Sequence, residues 1–423
     1  MKTPNDIGTE ATAQPDWEAI RLEFPALQQR VNGHPLAYFD HAATSQKPQK
    51  VIDALNHYYQ TDNANIHRAV HSLSQRATTA YEEARSKTAR FIGAQEPSEI
   101  IFTSGTTAAI NLVAQSWGNA HLQEGDEILL TGLEHHANLV PWQMACARTG
   151  ARLKIVEVDE NGEIPTDSVA RMLGSNTRIL AFSWISNALG TINPAREWIQ
   201  LARDRGITSL VDAAQVVAHH PIDVSELGCD FLCFSAHKMM GPTGVGILYG
   251  RKSILQSLEP VFGGGDMIDE VSYERSSWAD LPYRLEAGTP NIAGVIGLSA
   301  AIDFLESLGW SHIAMRESAL LNYALEKLRG IPQIRFIGTP KERSGVISFV
   351  VDGVHPYDLG TLLDEQGVAL RTGHHCTQPL MQHFGISGTC RVSLALYNNF
   401  EEIDQLERAI VRALRLMGKT GQL

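Results

Sequence analysis

Leu210-Val211-Asp212-Ala213-Ala214-Gln215 decides how the rest of the chain reads. Its apolar start predicts a strand, and Asp212 stands where that strand hands over to a helix. Open α/β sheets bind ligands at the carboxyl ends of their strands, so an acidic residue there is a candidate site residue. Downstream comes Phe234-Ser235-Ala236-His237-Lys238-Met239-Met240-Gly241-Pro242-Thr243-Gly244. Residues 229–234 before the lysine and 245–249 after it read as short buried strands. A long cationic side chain is seldom left inside a fold without a partner. Desolvation there lowers an ammonium pKa and makes the amine a nucleophile toward carbonyls. Taken alone, this stretch fits a surface lysine at a hairpin tip equally well. Asp212 breaks the tie.

From residue 100 the strand and helix patterns alternate regularly, which argues for an α/β fold with a largely parallel sheet wrapped by helices. Strands read at 100–103, 127–131 and 178–184. After the first, Ser104-Gly105-Thr106-Thr107 turns into a helix through Trp117 and leaves backbone N–H groups free, a natural phosphate cradle. Ser235 and His237 beside the lysine extend that cradle. After the second strand comes Leu133-Glu134-His135-His136-Ala137-Asn138, where one imidazole can stack on a flat ring or move protons. Adjacent residues seldom point to one spot, so at most one of the two histidines is expected in the site. Ser186-Asn187-Ala188-Leu189-Gly190 offers an amide to a carboxylate. The Gly241-x-x-Gly244-x-Gly246 run leads into a strand and is not a dinucleotide fingerprint.

A chain of 423 residues has ample core and two or three domains. Its net charge of −12, with no basic run, argues against nucleic acid and anionic membranes as partners. No apolar stretch is long enough to span a bilayer. Residues 1–15 are polar and expected to fray. The first 35 residues lack an export pattern, and an odd count of five cysteines fits a reducing cytoplasm. No C-x-x-C pairing suggests zinc or iron–sulfur ligation. Residues 251–288 lack periodicity and read as a passage between domains. Helices at 293–308 and 311–329 then open a second unit, with strands at 335–338, 345–351, 368–371 and 390–396. The expected division is a large domain at 28–277 and a small one at 278–423, joined by the N-terminal segment 1–27.

The second chemical stretch is Arg371-Thr372-Gly373-His374-His375-Cys376-Thr377-Gln378-Pro379. A cysteine in a Gly- and His-rich loop after a strand is expected to be exposed near cationic groups, which favours the thiolate. Zinc held by His374, His375 and Cys376 is the rival reading, although three consecutive side chains rarely converge on one metal. Arg391 can grip a carboxylate with its two-pronged guanidinium, or serve as a plain salt bridge. Asn65-Ile66-His67-Arg68 lies in a polar loop that either lines a site or is merely solvated.

A lysine amine paired with a distant carboxylate is what pyridoxal phosphate requires, one for its aldehyde and one for its pyridinium nitrogen. Together the quoted motifs resemble the fold-type I pyridoxal-phosphate enzymes, class V aminotransferase branch. Within it they resemble the SufS-type (group II) cysteine desulfurases, from about residue 24 to the end of the chain. The resemblance implies a mostly parallel seven-stranded sheet with a smaller α+β domain. It implies that Lys238 forms a Schiff base with the cofactor and later moves the α-proton. Asp212 faces the ring nitrogen, Gln215 the ring hydroxyl, and His135 stacks on the ring. Thr106, Thr107, Ser235 and His237 hold the phosphate, joined by Thr289 from the partner in a homodimer. Asn187, Arg371, Arg391 and His67 meet the substrate. Cys376 takes sulfur from L-cysteine as a persulfide, leaving L-alanine, and a SufE-like acceptor carries it toward iron–sulfur assembly.

Three alternatives stand beside this reading: a selenocysteine lyase, a class V aminotransferase or kynureninase-like enzyme, and a non-catalytic scaffold. The chain also departs from the family pattern. Ser104 and Ala108 replace charged residues expected near the dimer interface, Thr377 replaces alanine, and Trp184 a more polar residue.

Overall fold

The computed structural model describes residues 15–419, so the fraying expected of residues 1–14 lies outside it. Seven strands form the central sheet: β1 (Ile100–Thr103), β2 (Glu127–Thr131), β3 (Arg152–Val156), β4 (Thr177–Ser183), β5 (Thr208–Asp212), β6 (Phe231–Ser235) and β7 (Gly246–Gly250). Their order is β1-β7-β6-β5-β4-β2-β3. Only β7 runs against its neighbours. Every residue of β6 and β7 is buried, as expected where helices cover both faces of a sheet and no face needs a polar alternation. The mostly parallel seven-stranded sheet of the sequence reading is therefore present.

A second sheet holds β8 (Ile334–Phe336), β9 (Val346–Val351), β10 (Arg371–Gly373) and β11 (Thr389–Ser393), all antiparallel in the order β8-β9-β11-β10. Its core joins Phe349, Val392, Leu406 and Ile410 with Ala37 and Phe39 from the N-terminal segment. That segment is tied in by a parallel pairing of Ala37–Tyr38 with Val368–Ala369, which carries Asp40 to the edge of the small sheet. Among the helices, α1 (Gln49–His57) and α2 (Ser72–Phe91) support α4 (Ile292–Leu308), with α3 (Thr106–His121) between β1 and β2 in the chain. After α4 the chain bends by 80° into α5 (Trp310–Arg329), which packs on α6 (Phe400–Leu416). No single described helix is long and apolar enough to cross a membrane.

Two local expectations are corrected. Asp212 does not feed a helix. Ala213 N–H donates to Cys233 O at 2.8 Å, and the Asp212 carboxylate accepts from Ala214 N–H at 2.9 Å. The side chain thus closes a turn of its own, a local hydrogen bond that competes with helix formation. The irregular passage at 251–288 also carries a short exposed hairpin, Ile268–Val271 with Ser276–Trp278.

Candidate active site

Strand ends bring the chemistry to one edge of the large sheet. β6 ends at Ser235, and a single 3-10 turn, Ala236–Lys238, carries the lysine out of it. Because β6 and β7 are antiparallel, a loop suffices to join them and Lys238 stays at the carboxyl edge. Asp212, buried, ends β5 one strand away. Burial lowers the pKa of the Lys238 ammonium; Asp212 opposes that shift, Arg391 adds to it and Cys376 opposes it. Residues from both sheets therefore lie close enough to Lys238 to act on its charge.

A cavity of about 290 Å³ opens beside the lysine loop, lined by Gly105, Thr106, Thr107, Ser235 and His237 among others. It sits at the N-terminus of α3, where unpaired N–H groups and the helix dipole favour an anion. Thr106 N–H donates to Ser235 Oγ at 2.8 Å, and the two hydroxyls are 2.7 Å apart. The turn sits flush on β7 because both facing residues are glycine: a Cβ on Gly246 would lie 2.3 Å from Gly105 Cα. This small, polar, anion-favouring cradle beside a desolvated lysine suits the phosphate of pyridoxal phosphate.

Glu134 fixes the turn that presents His135. Its buried carboxylate accepts from Asn138 Nδ2 and Ser183 Oγ, each at 2.7 Å, from Ser183 N–H at 3.1 Å, and from the Thr131 hydroxyl. Burial pushes its pKa up to about 7 in spite of those donors. His135 Nδ1 accepts from Ala137 N–H at 3.0 Å, which leaves the proton of the neutral ring on Nε2. Burial, then the charges of Lys238, His136 and Arg391, hold its pKa down to about 3. Gln215 Nε2 donates to Ala42 O at 2.8 Å, so its amide nitrogen is already engaged.

The cysteine loop enters from the small sheet. Cys376 is exposed, and both it and His375 have positive φ, +56° and +52°. Such a backbone costs about 1–3 kcal/mol per non-glycine residue and persists only where the surroundings fix it. Here three contacts do so. Asn187 Nδ2 donates to His375 O at 2.8 Å, and His136 N–H donates to Cys376 O at 2.8 Å. Gln378 N–H then donates to His136 Nε2 at 3.1 Å. His375 is buried with Nε2 2.7 Å from Thr389 Oγ1, while His374 Nδ1 accepts from Cys376 N–H. The two histidines of the zinc alternative thus serve different partners.

Arg371 and Arg391 face each other across β10 and β11, and Asp40 lies on both. Arg371 holds Asp40 with two nitrogens, Nε at 3.0 Å and Nη2 at 2.8 Å. Arg391 gives Nη2 to Asp40 at 3.1 Å and Nη1 to Asn187 O at 2.9 Å. Burial lowers the Arg391 pKa to about 10, with Asp40 opposing the shift.

Comparison with known proteins identifies the family. Residues 37–406 match the aminotransferase class-V family. The chain belongs to that family. It is 49% identical over 397 residues to a cysteine desulfurase of Synechococcus elongatus, covering 94% of this chain and 63% of that one. It is 48% identical over 402 residues to a cysteine desulfurase of Salmonella agona, covering 95% and 99%. The crystal structure of the Escherichia coli cysteine desulfurase CsdA superposes with a TM-score of 0.89 at 39% identity, covering 96% of this chain and all of that one.

Of the expected residues, Thr106, Thr107, Ser235 and His237 line the cavity, Asp212, Arg391 and Cys376 act on the charge of Lys238, Lys238 acts on that of His135, and Asn187 and Arg371 adjoin Arg391. Two expected residues stand elsewhere. His67 bonds Glu82 at 3.0 Å and packs on Tyr283, and Thr289, which the resemblance assigns to the partner's site, is exposed. Ser104 and Ala108 line the cavity, so these departures from the family pattern border the anion cradle itself. Residues missed at the level of sequence are Asp40, Glu134 and His136. For Asp40 a signal existed: it follows a short strand, and the two candidate arginines otherwise lacked an acidic partner.

Proposed function

We propose that the protein is a pyridoxal-phosphate-dependent cysteine desulfurase of the SufS type, converting L-cysteine to L-alanine and collecting the sulfur on Cys376. The observation that carries this reading is the docking of the Cys376 loop onto the large sheet's end of the site, where His136 N–H donates to Cys376 O and Asn187 Nδ2 to His375 O, each at 2.8 Å, beside the desolvated Lys238. The relatives named above are described as cysteine desulfurases over nearly the whole of this chain. Bound pyridoxal phosphate supplies an electron sink for the carbon next to the substrate carboxylate.

The chain's own residues do the rest. Lys238, its ammonium weakened by burial, anchors the cofactor and moves the α-proton. With the cofactor bound, Asp212 would pair with the ring nitrogen, whose positive charge would favour the carboxylate against burial. Neutral His135 would offer its Nε2–H donor to the ring. Arg391 and Asn187 orient the substrate carboxylate. The Cys376 thiolate then attacks the substrate sulfur. A sulfur–sulfur bond forms, the carbon–sulfur bond breaks, and its electron pair stays with carbon, which is protonated to give L-alanine.

Because Cys376 is exposed on a short loop, the persulfide faces solvent where a SufE-like acceptor can take it for iron–sulfur assembly. Thr289 and His67, both off this chain's own cavity, suit a homodimer in which each serves the partner's site. Five free cysteines suit a reducing cytoplasm. The test is quantification of L-alanine and sulfide from L-cysteine, with and without a SufE-like acceptor. L-Selenocysteine run in parallel decides the lyase alternative. Keto-acid products, or no turnover in cofactor-loaded protein, would reject the proposal.

A further inference from the structure

Two arginines directly opposite on neighbouring antiparallel strands repel each other, and Arg391 is almost fully buried. Such a pair needs an anion. In this structure the anion is a side chain of the protein itself, delivered by the N-terminal segment: Asp40.

The two arginines are not equivalent. Arg371 commits the edge formed by Nε and Nη2 to Asp40, a two-pronged grip with nitrogens at 3.0 and 2.8 Å. Arg391 offers Asp40 only Nη2, at 3.1 Å, and its Nε is buried without a hydrogen-bond partner. A guanidinium directs Nε–H and one Nη–H along the same edge, which matches the two oxygens of a carboxylate. That edge of Arg391 is therefore half used. A carboxylate able to take both nitrogens binds it better than Asp40 does, and it must come in where Asp40 now sits. Asn187 O on Nη1, at 2.9 Å, keeps the guanidinium in place meanwhile.

We propose that Asp40 is an exchangeable internal carboxylate: it occupies Arg391 while the substrate site is empty, yields that guanidinium to the carboxylate of an incoming amino acid, and stays on Arg371. This rests on the desulfurase reading for the identity of the substrate, though not for the exchange. It makes Arg391 the substrate-carboxylate ligand and Arg371 a positioning residue for Asp40. Two guanidinium charges and one aspartate leave a single net positive charge, matched to an amino acid with one carboxylate.

The experiment uses cofactor-loaded protein and two competitive inhibitors, L-alanine and ethylamine. They share the amine, and only the first has a carboxylate. In Asp40→Asn, L-alanine no longer competes with a resident charge, so its inhibition constant should fall about five- to tenfold. The constant for ethylamine should not change. A constant for L-alanine that rises, stays put, or moves in parallel with that for ethylamine overturns the proposal. Should Asp40→Asn not fold, a crystal structure of the unmutated enzyme with L-alanine decides. Alanine carboxylate on Arg391, with Asp40 off it and still on Arg371, supports exchange. Asp40 still bonded to Arg391 overturns it. Protein that binds L-alanine yet releases no sulfur from L-cysteine rejects the desulfurase reading alone, and the alanine data still judge Asp40.

Discussion

The lysine loop and the cysteine loop meet in one site and are built in opposite ways. Around Lys238 the backbone is over-determined. His237 O accepts from Ser45 N–H and Ser45 Oγ at 2.9 Å and from Lys47 Nζ at 3.1 Å. Met240 N–H donates to Ser45 Oγ at 2.7 Å, and Gly241 N–H to Ala236 O at 2.9 Å. The cysteine loop carries two consecutive left-handed non-glycine residues, against the single Met240 of the lysine loop, and is held by Asn187 and by the clasp of His136. An anchor that keeps one cofactor for the life of the protein gains from rigidity. A thiol that must be loaded at the site and unloaded to another molecule needs exposure and room to move.

Breaking the rigid half should do the most damage. Lys238→Ala removes the anchor and the base together, and L-alanine formation should drop by at least about a thousandfold. Residual turnover well above that level would mean that another group moves the α-proton. Cys376→Ala breaks only the cysteine-loop half. Release of sulfur from L-cysteine should fall below about a hundredth of the normal rate, while the inhibition constant for L-alanine stays within twofold. Loss of L-alanine binding in that variant would show that the cysteine loop shapes the amino-acid site, and the division drawn above would fail.

Much of the lysine-loop half was legible in the sequence, and little of what holds the cysteine loop was. Lys238, Asp212 and Thr106 announce themselves because each sits at, or within three residues after, the end of a strand that its own neighbours specify. Cys376 was also legible, from glycine and histidine in its own loop. Its supports were not, since they come from far away in the chain: His136 meets Gln378 across 242 positions and Asn187 meets His375 across 188. Asp40 reaches Arg391 across 351. No periodicity encodes such contacts; only the packing of the two sheets does. The pair His135-His136 shows the limit well. One member was expected to matter, whereas the turn points His135 toward Lys238 and leaves His136 to hold the cysteine loop.

His136→Ala sharpens the comparison. The backbone bond to Cys376 O survives, but the acceptor for Gln378 N–H is lost. One hydrogen bond of about 1 kcal/mol supports the loop geometry, so kcat with L-cysteine should fall a few-fold to tenfold with KM changed less than twofold. A loss as large as that of Cys376→Ala would place His136 in the chemistry itself.

The smallest effect concerns how the cysteine loop is rooted, and it is read from stability instead of activity. His375 is buried beside Arg391 and Arg371, and burial first, then those charges and His374, take its pKa from 6.5 down to about 2. The native state therefore keeps this ring neutral, whereas an unfolded chain protonates it below about 6.5. The unfolded state then binds more protons than the native one, and stability falls as pH drops from 6.5 toward the native value. Above 6.5 neither state binds the proton and the contribution is fully present. Between pH 7.5 and 5.5 the loss from this one group should be about 1 kcal/mol. His375→Gln can still reach Thr389 and has nothing to titrate. Urea-denaturation profiles at the two pH values should therefore differ by about 1 kcal/mol less in the variant than in the unmutated protein. An unchanged difference would mean that His375 takes up a proton in the folded protein, next to two arginines. Asp40 would then have to shield it, and the charge count that matches the site to one carboxylate would be wrong.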